Sequence, residues 1–88
     1  MTPAEADLMQ KHAGYWRGLA DHGIALVVGP VLDPAGVWGV AIIDVNDADA
    51  AAAVTNEDPI ISAGSGFRYE IHPIPQAILR TAHQPNPL

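Results

Sequence analysis

The chain has 88 residues, a formal net charge of −6 and no cysteine. Its four Lys and Arg residues are scattered, which argues against nucleic acids and anionic membranes as partners, and no apolar run is long enough to cross a bilayer. The missing cysteines exclude disulfides, thiolate zinc sites and Cys nucleophiles. Because the acidic N-terminus also lacks the regions of a signal peptide, we expect a cytoplasmic protein.

The composition favours an oligomer. A chain of this length has room for one small core, so its stability margin is narrow, and many such domains widen that margin by dimerising. Hydrophobic residues make up 49% of the chain and charged residues only 16%. That is too apolar for disorder and leaves little charge to cover an exposed surface. We therefore expect the chain to pair with itself as a homodimer.

The first predicted element is a helix. Thr2 is a candidate N-cap, Pro3 suits the first helical position, and Glu5 completes a capping box. Gly23 is expected to end the helix in a left-handed conformation. Apolar and aromatic residues recur along it at helical spacing, together with one histidine. They are Leu8, His12, Tyr15 and Leu19, with Met9, Trp16 and Ala20 beside them.

A hairpin and a second helix follow. Residues 24–31 are apolar and β-branched, which predicts a strand buried on both faces or nearly so. Residues 33–36 (Asp-Pro-Ala-Gly) form a turn, and residues 37–45 are the returning strand. The Ala-rich residues 48–56 predict a short helix, which Asp58-Pro59 ends.

The remaining chain predicts one strand and a tail. Residues 67–71 alternate apolar and polar side chains, the pattern of a half-buried strand. Prolines interrupt regular structure after His72, although residues 76–82 could hold one or two helical turns. We assign residues 1–74 to one α+β domain and residues 75–88 to a Pro-rich C-terminal tail.

The order helix, strand, strand, helix, strand is the ferredoxin-like α+β plan without its usual first strand. That strand lies inside the complete sheet, so its absence predicts a gap with an exposed strand edge. Four explanations stay open. The sheet closes differently, the partner chain or the C-terminal tail fills the gap, or the natural gene begins further upstream.

Two residues are the main candidates for chemistry, and each has a structural alternative. His12 lies on the apolar side of the first helix, where it is either a hydrogen-bonded core residue or a general acid/base that titrates near neutral pH. Asp58 precedes Pro59, so it is either a turn residue or the carboxylate that orients His12. Asp33, at the tip of the hairpin, has the same ambiguity and is an alternative partner for His12.

Other residues suggest a pocket but no cofactor. Gly29-Pro30 inside a strand indicates an edge or a bulge, and glycine there permits close approach of a ligand. Trp16 and Trp38 are most simply core or interface residues. The four histidines show no recognised ligand spacing and no Gly-rich phosphate loop is present, so we expect neither a metal nor a cofactor.

Several short motifs, taken in order, resemble the YCII-related (YciI-like) family over about residues 5–74. They are His12 with Tyr15-Trp16, residues 29–36 (GPVLDPAG), Glu57-Asp58-Pro59, Ala63-Gly64, and residues 69–73 (YEIHP). The resemblance implies a dimeric α/β-barrel in which two ferredoxin-like sheets pack together. It also implies an active site built from His12 and Asp58. Most members have no assigned reaction, and one relative in chlorinated-aromatic degradation acts as a dehydrochlorinase.

We therefore predict a small-molecule enzyme of proton-transfer (lyase or isomerase-like) type. His12 would act as acid/base and Asp58 would orient it, in a dimer pocket whose substrate-binding residues are Tyr15, Trp16, Gly29, Pro30 and Asp33. The alternative is a non-catalytic small-molecule-binding or protein-interaction dimer, or a structural remnant that lacks the first strand. An open cavity beside a His–Asp contact would favour the enzyme, and a filled site would favour the binding module.

Overall fold

The computed structural model describes residues 2–79 as a mixed α+β domain with three helices and a small antiparallel sheet. In chain order the elements are α1 (Pro3–Asp21), β1 (Ala25–Asp33), β2 (Gly36–Ile43), α2 (Ala48–Asn56) and α3 (Pro59–Ser62). The predicted first helix, hairpin and Ala-rich helix are therefore confirmed. The α+β class is confirmed with them.

The ends of α1 follow from local sequence. The Thr2 hydroxyl accepts a hydrogen bond from the backbone N–H of Glu5 at 3.1 Å, and the Glu5 carboxylate accepts one from the N–H of Thr2, which completes the capping box. After the helix, Gly23 has φ +79°, a conformation that costs glycine little. The chain then turns directly into β1.

The hairpin pairs β1 with β2 in antiparallel register, from Ala25 opposite Ile43 to Asp33 opposite Gly36, with an irregularity between Ala25 and Val27. At the turn, the Asp33 carboxylate accepts a hydrogen bond from the N–H of Ala35 at 2.9 Å. Pro30 is tolerated within β1 because, in a two-stranded sheet, each strand has an open edge.

Two predictions about the sheet are wrong. Residues 67–71 form no strand, so the described sheet holds β1 and β2 alone. Of the three apolar residues on the predicted strand face, Tyr69 alone contacts Trp16 and Asp58, while Phe67 and Ile71 stay exposed. The expectation that residues 24–31 are buried on both faces also fails. Within residues 2–79, α1 packs against β1 but leaves much of the hairpin uncovered, and exposed apolar side chains are found on both of its faces: Leu26, Val27, Val28, Leu32, Val37, Trp38, Val40 and Ile42.

The two helices after the hairpin each begin with a capping aspartate, and the second of these is Asp58. Asp47 caps α2, its carboxylate accepting from the N–H of Ala50 at 2.8 Å. Asp58-Pro59 not only follows the end of α2 but also begins α3, which we did not predict, with Asp58 as N-cap and Pro59 in the first turn. Of the possible helical turns at residues 76–82, residues 76–79 show no helix, and the rest lie outside the described residues.

The apolar core of the described chain is small. It consists of Trp16, Ala25, Ala51 and Ile60. Helix α1 packs against β1 and α3, and α2 packs against α3, so the core lies where the helices meet the start of the hairpin. The rest of the hairpin extends beyond that core with its apolar side chains uncovered.

Candidate active site

Asp58 is the most deeply buried residue of the described chain, with none of its surface exposed. Its position is set by the tight connection between α2 and α3. As the N-cap of α3, its Oδ1 atom accepts a hydrogen bond from the N–H of Ile60 at 3.1 Å. A buried carboxylate is stable only when it is hydrogen-bonded, and Oδ1 is thus satisfied by the backbone.

The second oxygen of Asp58 accepts three side-chain hydrogen bonds. Nδ1 of His12 and Nε1 of Trp16 each lie 2.7 Å from Oδ2, and the hydroxyl of Tyr69 lies 2.5 Å from it. His12 and Trp16 are one turn apart on α1, so a single helix face supplies both. The structure therefore brings His12 and Asp58 together and adds Trp16 and Tyr69 to the pair.

These donors keep Asp58 ionised. Burial by itself raises the pKa of Asp58, but the hydrogen bonds from Tyr69, Trp16, Ile60 and His12 outweigh it, and the net pKa lies below the usual value for an aspartate. An ionised carboxylate only accepts hydrogen bonds, so the proton of the neutral imidazole belongs on Nδ1 of His12. Nε2 then carries the lone pair.

The imidazole of His12 lies at the boundary between the buried carboxylate and the surface. Its side chain is 26% exposed, whereas the side chain of Asp58 is fully buried. Across residues 2–79, the hydrogen bond of the imidazole goes to Asp58 through Nδ1, and no partner is found for Nε2. A neutral His with a fixed Nδ1–H and an unpaired Nε2 can accept a proton from a bound molecule and return it.

Tyr15 and Trp16 lie beside the pair. The Tyr15 hydroxyl donates to the carbonyl oxygen of Val54 at 2.5 Å, and its ring meets the Trp16 ring edge-on, with centroids 5.7 Å apart. Burial, followed by the negative charges of Glu57 and Asp58, raises the pKa of Tyr15. The Tyr15 hydrogen bond thus links α1 to α2, and the Trp16 side chain is buried in the core.

The hairpin residues named from sequence lie elsewhere. Gly29 and Pro30 are opposite Val40 and Gly39 in the middle of the sheet, and no hydrogen bond described for this chain links them to Asp58. They remain candidates only for a pocket that the hairpin would help to form. Trp38, expected in the core or an interface, is half exposed.

Asp33 does not pair with His12. Its carboxylate bonds the N–H of Ala35 and, at 3.1 Å, the indole of Trp38. Those bonds lower the pKa of Asp33, the first more than the second. The alternative partner is therefore excluded within this chain, because the His12 imidazole bonds Asp58 instead.

Sequence reasoning missed Tyr69 as part of the site. Its hydroxyl contacts both Asp58 and Trp16, yet the alternating pattern of residues 67–71 predicted only an apolar face for it. Tyrosine usually finds a hydrogen-bond partner when its ring is buried, and this preference was the available signal.

A groove of about 360 Å³ also escaped prediction. It is mostly apolar and lies between the first turns of α1 and the chain after α3; its lining residues are Glu5, Leu8, Met9, Ser65 and Phe67. Leu8 precedes His12 by one helical turn, and Phe67 precedes Tyr69 by two residues. The two walls of the groove therefore continue, along the chain, into two residues that contact Asp58.

The described residues contain no group of three or more His, Asp or Glu side chains arranged to hold a metal ion. His83 lies outside them, and His72 is exposed beside Glu70, with 3.7 Å between Nε2 and the carboxylate. None of the described helices is long and apolar enough to cross a membrane.

Comparison with known proteins identifies a family. No curated protein and no solved structure gives a significant match. The family model of the YCII-related domain matches residues 2–75, which include all the residues that surround Asp58. The chain, with its His12–Asp58 pair held between α1 and α3, therefore belongs to the YCII-related family.

Proposed function

We propose that this protein is a small-molecule enzyme of proton-transfer type, lyase or isomerase-like, in which His12 is the acid/base and Asp58 orients it. The observation that supports the proposal is the contact of 2.7 Å between Nδ1 of His12 and a buried, ionised carboxylate. This contact holds one tautomer of the imidazole, with the proton on Nδ1, so that Nε2 is the nitrogen that would accept a proton from a substrate.

The reaction follows from that arrangement. Nε2 of His12 removes a proton from an acidic C–H or O–H group, and the electron pair stays on the substrate as an enolate or alkoxide. The imidazolium that forms is stabilised by Asp58. It then returns the proton to another atom of the same molecule in an isomerisation, or to a departing group in an elimination.

The groove beside α1 suggests the kind of substrate. Leu8, Met9 and Phe67 would contact an apolar part of the molecule, and the volume of about 360 Å³ is within the range of small-ligand pockets. Among the described residues that line the groove, Glu5 is the ionisable one, and it is negative. A neutral molecule with an apolar ring or chain therefore fits better than a carboxylate or a phosphate.

The proposal includes a homodimer of the dimeric α/β-barrel kind, with ferredoxin-like sheets. Across residues 2–79 the core holds only four apolar residues, while the hairpin exposes apolar side chains on both faces and has two strand edges without a described partner. A second copy of the same hairpin offers a complementary apolar surface, which other water-soluble molecules generally lack. Gly29, Pro30 and Asp33 would then contribute to a pocket shared by the two copies.

Hydrogen–deuterium exchange at carbon tests the chemistry without knowledge of the product. A panel of neutral ketones, lactones and chlorinated lactones would be incubated with the protein in D₂O, and deuterium incorporation would be followed by ¹H NMR. We expect incorporation into at least one compound and a loss of at least a hundredfold in His12→Gln. Binding without exchange across the panel, or equal exchange by His12→Gln, would support the non-catalytic binding module instead.

A further inference from the structure

Tyr69 differs from its neighbours in the C-terminal part of the described chain. Among residues 66–79 it alone is not exposed. Its ring lies against that of Trp16, with centroids 6.0 Å apart and planes inclined at 49°. This one side chain therefore makes the main contact between the segment 67–74 and the helices.

The Tyr69 hydroxyl connects the groups of the site. It donates to Oδ2 of Asp58 at 2.5 Å and accepts from the indole N–H of Trp16 at 3.0 Å, while that N–H also points to Oδ2 at 2.7 Å. Burial and the hydrogen bond to Asp58 raise the pKa of Tyr69 well above its usual range. The hydroxyl thus stays protonated at neutral pH and remains a donor.

We propose that Tyr69 is a positioning residue for the His12–Asp58 pair, because its hydroxyl holds the Asp58 carboxylate in the orientation that keeps the His12 proton on Nδ1. The same bond couples the location of the segment 67–74 to the state of the pair. The role of Tyr69 in turnover rests on the proposed function, whereas its effect on Asp58 and His12 does not.

The physical reason lies in the number of donors on one oxygen. Hydrogen bonds from three side chains fix the direction of Oδ2 and share its negative charge. Without the Tyr69 hydroxyl, Oδ2 keeps only the two donors on α1, His12 and Trp16, while the N–H of Ile60 still bonds Oδ1. The ionised form of the carboxylate becomes less stable, and the geometry at Nδ1 of His12 is less restricted.

The test compares two substitutions that each remove one hydroxyl. Tyr69→Phe keeps the ring and loses the bond to Asp58, and Tyr15→Phe is the matched control, since the Tyr15 hydroxyl bonds the Val54 carbonyl instead. The Asp58 carboxyl carbon would be titrated by ¹³C NMR, and the ring nitrogens of His12 would report its tautomer. We expect the pKa of Asp58 to rise by about one unit in Tyr69→Phe alone, with a smaller Nδ1–H fraction in His12.

A second measurement avoids dependence on the folding of Tyr69→Phe. The chain contains two tyrosines, so 3-fluorotyrosine incorporated into Tyr15→Phe labels Tyr69 alone. Fluorination makes the phenol a stronger donor, and we expect the pKa of Asp58 to fall relative to unlabelled Tyr15→Phe. If neither change moves the Asp58 titration or the His12 tautomer, Tyr69 only packs against Trp16 and the proposal is wrong. Absence of deuterium exchange in the wild type would instead contradict the proposed function and leave this result standing.

Discussion

Trp16 and His12 lie one turn apart on α1 and contact the same atom, Oδ2 of Asp58, each at 2.7 Å. The two donors differ in exposure, because Trp16 is buried while the His12 side chain is partly open to solvent. The indole therefore hydrogen-bonds the carboxylate inside the protein, and the imidazole links the same carboxylate to the solvent-exposed surface. This division connects a fully buried aspartate, through one hydrogen bond, to a side chain that is partly exposed to solvent.

Removal of Asp58 should be strongly destabilising. Asp58→Ala takes away the acceptor of four hydrogen bonds and leaves the buried N–H of Trp16 without this partner, so we expect the free energy of unfolding to fall by about 3 kcal/mol. Urea unfolding followed by circular dichroism measures this. Asp33→Ala is the matched control, since Asp33 also precedes a proline but is exposed. Equal losses in the two variants would show that Asp58 acts as an ordinary turn residue.

Stability should depend on pH through Asp58. The pKa of Asp58 in the folded protein is below the value of about 3.9 for an unfolded chain. Its contribution to the free energy of unfolding is therefore present above the unfolded pKa and is lost as the pH falls through the folded pKa. We expect the free energy of unfolding of the wild type to exceed that of Asp58→Asn by the largest amount at pH 6–7. The difference between the two proteins should narrow below about pH 4. Thermal unfolding of both proteins across pH 2–7 measures it. A difference that does not change with pH would mean that the carboxylate carries no charge in the folded state.

The exposed hairpin should carry the dimer interface. We expect the wild type to have twice the monomer mass by light scattering, and Trp38→Glu to raise the dissociation constant by about thirtyfold or more, because it places a charge on an apolar surface. Ala53→Glu, an exposed position on α2, is the control and should stay dimeric. A wild type that is monomeric at every concentration tested would contradict the dimer.

The groove should bind neutral rather than anionic molecules. With benzyl alcohol and benzoate as matched probes, we expect benzyl alcohol alone to shift the methyl signals of Leu8 and Met9 in NMR spectra, since Glu5 disfavours an anion. Leu8→Gln should weaken this binding by about tenfold, because the probe loses an apolar contact. Leu79→Gln, an exposed position far along the chain, should not weaken it. Equal binding of benzoate, or shifts confined to the hairpin, would exclude the groove as the substrate site.

Local signals predicted the regular elements well. The capping box at Thr2 and Glu5, the Asp-Pro-Ala-Gly turn and the Ala-rich segment each specify their structure through neighbours in sequence. The strand expected at residues 67–71 did not form, because alternation is a local pattern and does not supply the neighbouring strand that a sheet requires; Phe67 and Ile71 stay exposed. Here the helices, rather than a third strand, cover Tyr69.

The sequence by itself determined α1, the hairpin, α2, the absence of thiol chemistry and the choice of His12 and Asp58 as candidates. Only the tertiary structure decided that Asp58 is the partner of His12, that Asp33 is not, and that Trp16 and Tyr69 share the same carboxylate oxygen. Helices and turns depend on residues a few positions apart, which a sequence pattern records. The site joins residues 46, 42 and 11 positions from Asp58, and such contacts depend on how α1, α3 and the later chain pack in space.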